Sequence, residues 1–116
     1  GTLAERIRAG GVGLGGFYVR TGIGTPFAQG KETRLIGGEE YVFEKPLKAD
    51  FALLRAHRAD TMGNLVYHTT MRNYNPIMAM AARITVVEVG DIVEPGGIDP
   101  ELVVTPGIYV DRMVKV

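Results

Sequence analysis

Apolar positions along the chain fall into short periodic segments separated by glycine and proline. Leu3 and Ile7 lie four residues apart behind Thr2-Leu3-Ala4-Glu5, a capping-box sequence in which hydroxyl and carboxylate satisfy each other's orphan amides. A helix from Thr2 to about Ala9 is predicted, with Gly10 and Gly11 as its left-handed stop. Further along, Gly37-Gly38 sits between two runs holding Leu35, Ile36, Tyr41, Val42 and Phe43, which predicts an exposed β-hairpin. The continuous run Asp50-Phe51-Ala52-Leu53-Leu54 predicts a strand in the middle of a sheet, covered on both faces. Gly63-Asn64 turns the chain into a strand at Leu65-Val66-Tyr67-His68. Asn75 is expected to cap a buried helix with Pro76 at its first position. That helix leads directly into the β-branched strand Ile84 to Val89. The proline-containing stretch Glu94 to Pro106 reads as loop, and Ile108, Val110, Val114 and Val116 alternate on a last strand that Arg112 interrupts.

Helix followed at once by strand is an α/β element. The expected architecture is therefore α/β: half of an open, largely parallel sheet with covering helices, plus an inserted β-hairpin. No repeat or low-complexity segment divides residues 1–116, which are expected to form one unit.

Composition narrows the function classes. Thirteen basic and thirteen acidic residues balance, which removes the electrostatic footprint of a general nucleic-acid or membrane-surface binder. With no cysteine there is no disulfide framework, thiolate metal site or cysteine nucleophile. No run approaches the ~18 apolar residues of a membrane span, and a cytoplasmic location is expected. The opening Gly1-Thr2, already helix-like and without methionine, reads as a chain cut at a processing point.

Gly11-Val12-Gly13-Leu14-Gly15-Gly16 formally matches the dinucleotide-binding fingerprint. The fingerprint works when the glycines follow a strand and open a helix whose amino end receives the pyrophosphate. Here they follow a helix and lead into Phe17-Tyr18-Val19, so the context is inverted. A phosphate-binding P-loop also fails, because no lysine with serine or threonine follows at the required spacing. His57 and His68 have no third ligand in pattern, so no metal site is expected. Met78 and Met80 read as core filler.

Four separated segments, in order, carry a family resemblance. "GTLAERIRAGGVGLGGFYVRTGIGT" resembles the alpha subunit of the family I coenzyme A transferases, whose pattern is a G-T-L-x-E-R-I-R-x-G-G helix and a glycine loop ending F-Y-T-x-T-G-x-G-T. "KADFALLRAHRADTMGNLVY", "RNYNPIMAMAARITVVEV" and "IVEPGGIDPELVVTPGIYVDRMV" are similar to later parts of the same polypeptide. The resemblance covers essentially the whole chain and implies the C-terminal half of a polypeptide about twice as long. Two departures stand out. Many relatives have Pro-Ala where this chain has Gly15-Gly16, which suggests a more mobile loop. The family's separate Gly-Gly-Phe motif belongs to the other half and is not Gly15-Gly16-Phe17.

The resemblance implies CoA transfer between carboxylic acids, such as succinyl-CoA and a 3-oxoacid like acetoacetate; acetate, butyrate and 3-oxoadipate enzymes share these segments. It also implies a nucleophilic glutamate on a partner beta subunit, coenzyme A as a substrate, and no resident cofactor. No catalytic residue is expected in this chain, since Glu39, Glu40, Glu44, Glu88 and Glu94 lack the nucleophile's motif and read as solvated. By resemblance the substrate loop comprises Gly13, Gly15, Gly16, Phe17, Tyr18, Thr21, Gly22, Gly24 and Thr25. Its amides and hydroxyls would serve as donors and its aromatics as wall, with plain core packing an equal reading for Phe17. Arg72, Asn73 and Asn75 form a second candidate group, for a carboxylate. Arg20, Arg55 and Arg58 are candidates for CoA phosphates, with surface arginine the ordinary explanation. A non-catalytic docking half-domain is the alternative function.

Overall fold

The computed structural model describes residues 1–116. It opens with helix α1, Thr2–Val12, which runs three residues beyond the predicted end. Gly10 and Gly11 are not the stop; they lie inside the helix where it presses against Leu47 and Met80, and a Cβ on Gly10 would stand 2.1 Å from the Leu47 carbonyl oxygen. The left-handed residue is Gly13 (φ 79°), whose N–H donates to the Ala9 carbonyl. The predicted capping box does not form. Thr2 is already helical, Gly1 holds the cap position without a side chain, and Glu5 pairs with Arg8 instead.

A three-stranded antiparallel sheet follows, in the order β1–β3–β2, with β1 Phe17–Val19, β2 Thr33–Ile36 and β3 Glu39–Glu44. The β2–β3 pair is the predicted hairpin. Gly37 (φ 59°) and Gly38 (φ 81°) supply the two positive φ angles that a tight two-residue loop needs to match strand twist. Strand β1 pairs across the far side of β3, bringing Tyr18 against Phe43 with ring centroids 5.2 Å apart.

The second sheet carries the core. Its order is β5–β4–β6–β7, from β4 Ala49–Asp60, β5 Leu65–Val66, β6 Ala82–Val93 and β7 Arg112–Lys115. Strands β4, β6 and β7 are parallel and the short β5 is antiparallel, so the sheet is largely parallel as expected. Helix α2, Asn75–Met80, lies between β5 and β6 in sequence and supplies Ala79 to a core with Ala52, Leu54, Ala56, Leu65, Tyr67, Val87 and Val89. Small residues on β4 let the helix approach closely.

The structure departs from three expectations in this region. Strand β4 is central but covered on one face only: Ala52, Leu54 and Ala56 are buried, while Phe51 is 59% and Leu53 73% exposed. Asn75 does not cap α2; Tyr74 holds that position, and the Asn75 amide instead serves the β4 edge. Ile108 is not part of the last strand, because Gly107–Tyr109 form a 3-10 turn and β7 begins only at Arg112. The Asp111 carboxylate, accepting the Thr85 N–H at 2.7 Å, ties the start of β7 to β6.

Candidate functional site

The predicted substrate loop is divided between two tasks. Gly13 ends α1, and Gly16 (φ 141°) lies so close to Phe43 that a Cβ would stand 2.2 Å from its ring. Gly16 is thus required by packing, and Gly15 has open space around it. Phe17 and Tyr18 enter β1 half-buried, where Tyr18 also receives the Arg34 guanidinium 5.8 Å from its ring centroid. Past Arg20 the chain turns repeatedly, through Gly22 (φ 93°) and Gly24 (φ 75°), into a 3-10 turn at Pro26–Ala28. Thr25 caps that turn by accepting the Phe27 N–H, and its hydroxyl donates to the Gly22 carbonyl at 2.6 Å.

These turns face α1 across a cleft of about 600 Å³. Thr21, Gly22 and Thr25 line it together with Thr2, Arg6, Lys31 and Glu44. The structure therefore brings together three of the predicted loop residues with charged residues that sequence reasoning overlooked. Glu44 is not solvated as expected: it is 5% exposed, and its Oε1 accepts from Lys31 Nζ at 2.5 Å. A buried carboxylate of this kind needs a counter-ion, and Lys31 provides it. The signal for this pairing is the hairpin register. Counting outward from Gly37-Gly38, Ile36 faces Glu39, Thr33 faces Val42, and two steps further Lys31 faces Glu44. Arg6 is half-buried and donates from Nε to the Lys45 carbonyl at 2.9 Å.

The second predicted group lies elsewhere. Asn75 accepts the Arg55 N–H at 3.2 Å and donates to the Met71 carbonyl at 2.8 Å, so its amide bridges β4 to the turn before α2. Arg72 donates from Nε to the Tyr67 carbonyl, and Asn73 ends the 3-10 turn Thr69–Arg72. None of the three lines the glycine-loop cleft. Arg20, Arg55 and Arg58 each have an acidic partner, Glu39, Glu88 and Asp91 respectively. His57 and His68 come together with ring centroids 5.1 Å apart, but no group of three or more metal-ligating side chains forms.

Two groups outside the cleft have shifted titration. Burial pushes Asp60 upward, but hydrogen bonds from the Asn64 side chain and from the N–H groups of Asn64, Met62 and Gly63 outweigh it and hold its pKa below the ordinary carboxylate value. Burial raises the Tyr67 hydroxyl, only partly offset by its 2.7 Å bond to Thr105. Both residues hold the β4–β5 turn and the Thr105 segment together. Neither faces the loop.

A largely parallel sheet with α2 packed on it, joined to a small antiparallel sheet beside a glycine-turn cleft, is a mixed α/β architecture. Residues 1–116 match the family model for coenzyme A transferase, and the chain belongs to that family. It is 60% identical over 114 residues to the A-type subunit of a succinyl-CoA:3-ketoacid coenzyme A transferase of Xanthomonas campestris pv. campestris (strain B100), covering 98% of this chain and 47% of that one. It is 55% identical over 116 residues to the A-type subunit of a 3-oxoadipate CoA-transferase of Pseudomonas putida, covering 100% and 50%. The fold is shared with an acyl-CoA transferase of E. coli O157:H7 solved as a thioester complex with CoA, at TM-score 0.87 and 23% identity, over 99% of this chain and 26% of that chain. The chain spans about half the length of the curated relatives it matches. No helix is long and apolar enough to cross a membrane.

Proposed function

We propose that this chain is the C-terminal half of the alpha subunit of a cytoplasmic CoA-transferase that exchanges CoA between succinyl-CoA and a 3-oxoacid such as acetoacetate. Coenzyme A is its substrate, and no cofactor takes part. A beta subunit supplies the nucleophile, a glutamate that attacks the acyl-CoA thioester and is converted, through an acyl anhydride, to a glutamyl-CoA thioester. The incoming acid reverses these steps. Dividing the exchange into two half-reactions conserves the free energy of the thioester and gives ping-pong kinetics.

The observation that carries this reading is the convergence of Thr21, Gly22 and Thr25 with Arg6 and Lys31 on one cleft, in a chain of this family. Tetrahedral intermediates at thioester and anhydride carbonyls need donors already held in place. The N–H groups of Gly22 and Gly24 and the Thr21 hydroxyl, which donate to nothing within the chain, are donors of that kind, held by turns that the Thr25 hydroxyl closes on the Gly22 carbonyl. Relatives named for a 3-ketoacid and for 3-oxoadipate match this chain at 60% and 55%, so overall likeness does not select the acid. The 3-oxoacid assignment follows the former.

The full-length alpha subunit, mixed with its beta subunit, is expected to exchange CoA between succinyl-CoA and acetoacetate with parallel double-reciprocal lines. Absence of exchange with acetoacetate, acetate, butyrate and 3-oxoadipate alike would exclude the reading. The exposed face of β4 supports a second one, in which this segment serves only to dock partner chains. Wild-type turnover in Gly22→Val and Thr25→Val variants of the assembled enzyme would favour that alternative.

A further inference from the structure

We propose that the cleft between α1 and residues 21–31 is an anion-binding subsite in which Arg6 receives two oxygens of a phosphate or carboxylate group. The inference deepens the transferase reading above and rests on it for the identity of the ligand, not for the existence of the site.

Arg6 differs from Arg20, Arg55 and Arg58 in its partner, and from Arg72, which also bonds a carbonyl through Nε, in lining this cleft. Arg20, Arg55 and Arg58 each face a carboxylate, whereas Arg6 makes a single bond, from Nε to the Lys45 carbonyl at 2.9 Å. That bond fixes one edge of the guanidinium and leaves the Nη donors without an acceptor in the chain. The carboxylate in the same cleft, Glu44, is already matched by Lys31 Nζ at 2.5 Å, so the charge of Arg6 is uncompensated. The hydroxyls of Thr2 and Thr21 line the same space, and neither has a hydrogen-bond partner in the chain. A half-buried guanidinium with one edge anchored and its fork free is pre-organised for bidentate contact with paired oxygens. The cleft, about 600 Å³, exceeds the needs of the anion alone and has the exposed Phe27 on its rim, so it admits a ligand that continues beyond the charged group. Under the transferase reading two sources fit that chemistry: the phosphates of coenzyme A and the carboxylate of an acid substrate.

The test is calorimetric titration of the full-length alpha subunit, assembled with its partner subunit, using inorganic pyrophosphate and succinate separately. One probe is expected to bind, with affinity falling as salt rises, and Arg6→Met should weaken that binding by about tenfold or more. Pyrophosphate binding assigns the site to CoA phosphates, and succinate binding assigns it to the acid. Binding of neither probe, or equal binding by wild type and Arg6→Met, overturns the proposal. Since Arg6→Met also removes the bond to Lys45, Thr21→Val serves as a second variant that leaves that bond in place. About threefold weaker binding is expected for it, and unchanged binding in a case where Arg6→Met does not fold also overturns the subsite. An assembly that binds the probe through Arg6 yet exchanges no CoA would refute the transferase reading and leave the subsite standing.

Discussion

Lys31 and Glu44 show how a single pair links hairpin register to the cleft. The two-residue turn at Gly37-Gly38 sets them opposite each other, and Glu44, paired with Phe17 across the other edge of β3, is buried. Replacing Lys31 by Met leaves a buried charge without its counter-ion, so a loss of about 2 kcal/mol is expected from denaturant unfolding; a loss below about 0.5 kcal/mol would mean that Glu44 is solvated after all. Asp60 acts in the same local way, its Oδ1 accepting the Met62 and Asn64 N–H groups at 3.0 Å. Asp60→Ala should cost about 2 kcal/mol, because those donors lose a charged acceptor. Since the folded pKa of Asp60 lies below its unfolded value, its contribution is complete above about pH 4 and is lost as pH falls through the lowered value. Acid unfolding of the Asp60→Ala variant should therefore be shallower below pH 4 than that of the wild type. At this scale the sequence is unevenly legible. The loop glycines stand out in it, but Arg6, Lys31 and Glu44 do not, because a charged residue on a helix or hairpin looks solvated until its neighbour across the fold is known.

Elements are legible where local chemistry decides them. The hairpin follows from Gly37-Gly38, and β6 from its β-branched run feeding out of a proline-started helix. Legibility fails where distant packing overrides a local signal. Gly10 and Gly11 look like a stop, yet they remain helical because Leu47 and Met80 occupy the space beside them. Asn75 looks like a cap, yet its side chain reaches the β4 edge beyond the two residues that β5 covers. Asn75→Ala therefore leaves the Arg55 N–H and Met71 carbonyl unpaired, with an expected cost of about 1–2 kcal/mol. Amide exchange at Arg55 should rise with it, and an unchanged exchange rate there would contradict the edge-capping role.

At the scale of the whole molecule, the chain is extended and its larger sheet is open on one face. Its radius of gyration is 17.3 Å, against about 13 Å for a compact chain of similar length. Only 19 of 116 residues are buried. Parallel sheets are normally covered on both faces, and the uncovered one here carries Phe51, Leu53 and Val114. Leu53→Asp should thus leave the isolated chain within about 0.5 kcal/mol of wild type while lowering the yield of assembled full-length enzyme in size-exclusion chromatography. Normal assembly of that variant would show that this face stays open. The sequence contains the parallel pattern but not the one-sidedness, because a continuous apolar run looks the same whether its second cover comes from this segment or from elsewhere.

The central claim is that these residues shape and charge the cleft while the reacting carboxylate belongs to the partner subunit. It is tested most directly by incubating the assembled enzyme with acyl-CoA, reducing the glutamyl-CoA thioester with borohydride, and locating the reduced residue by peptide mass spectrometry. The account predicts that the modified glutamate maps to the beta subunit, with every peptide of residues 1–116 unmodified. Modification of Glu44, or of any other glutamate in this segment, would contradict it.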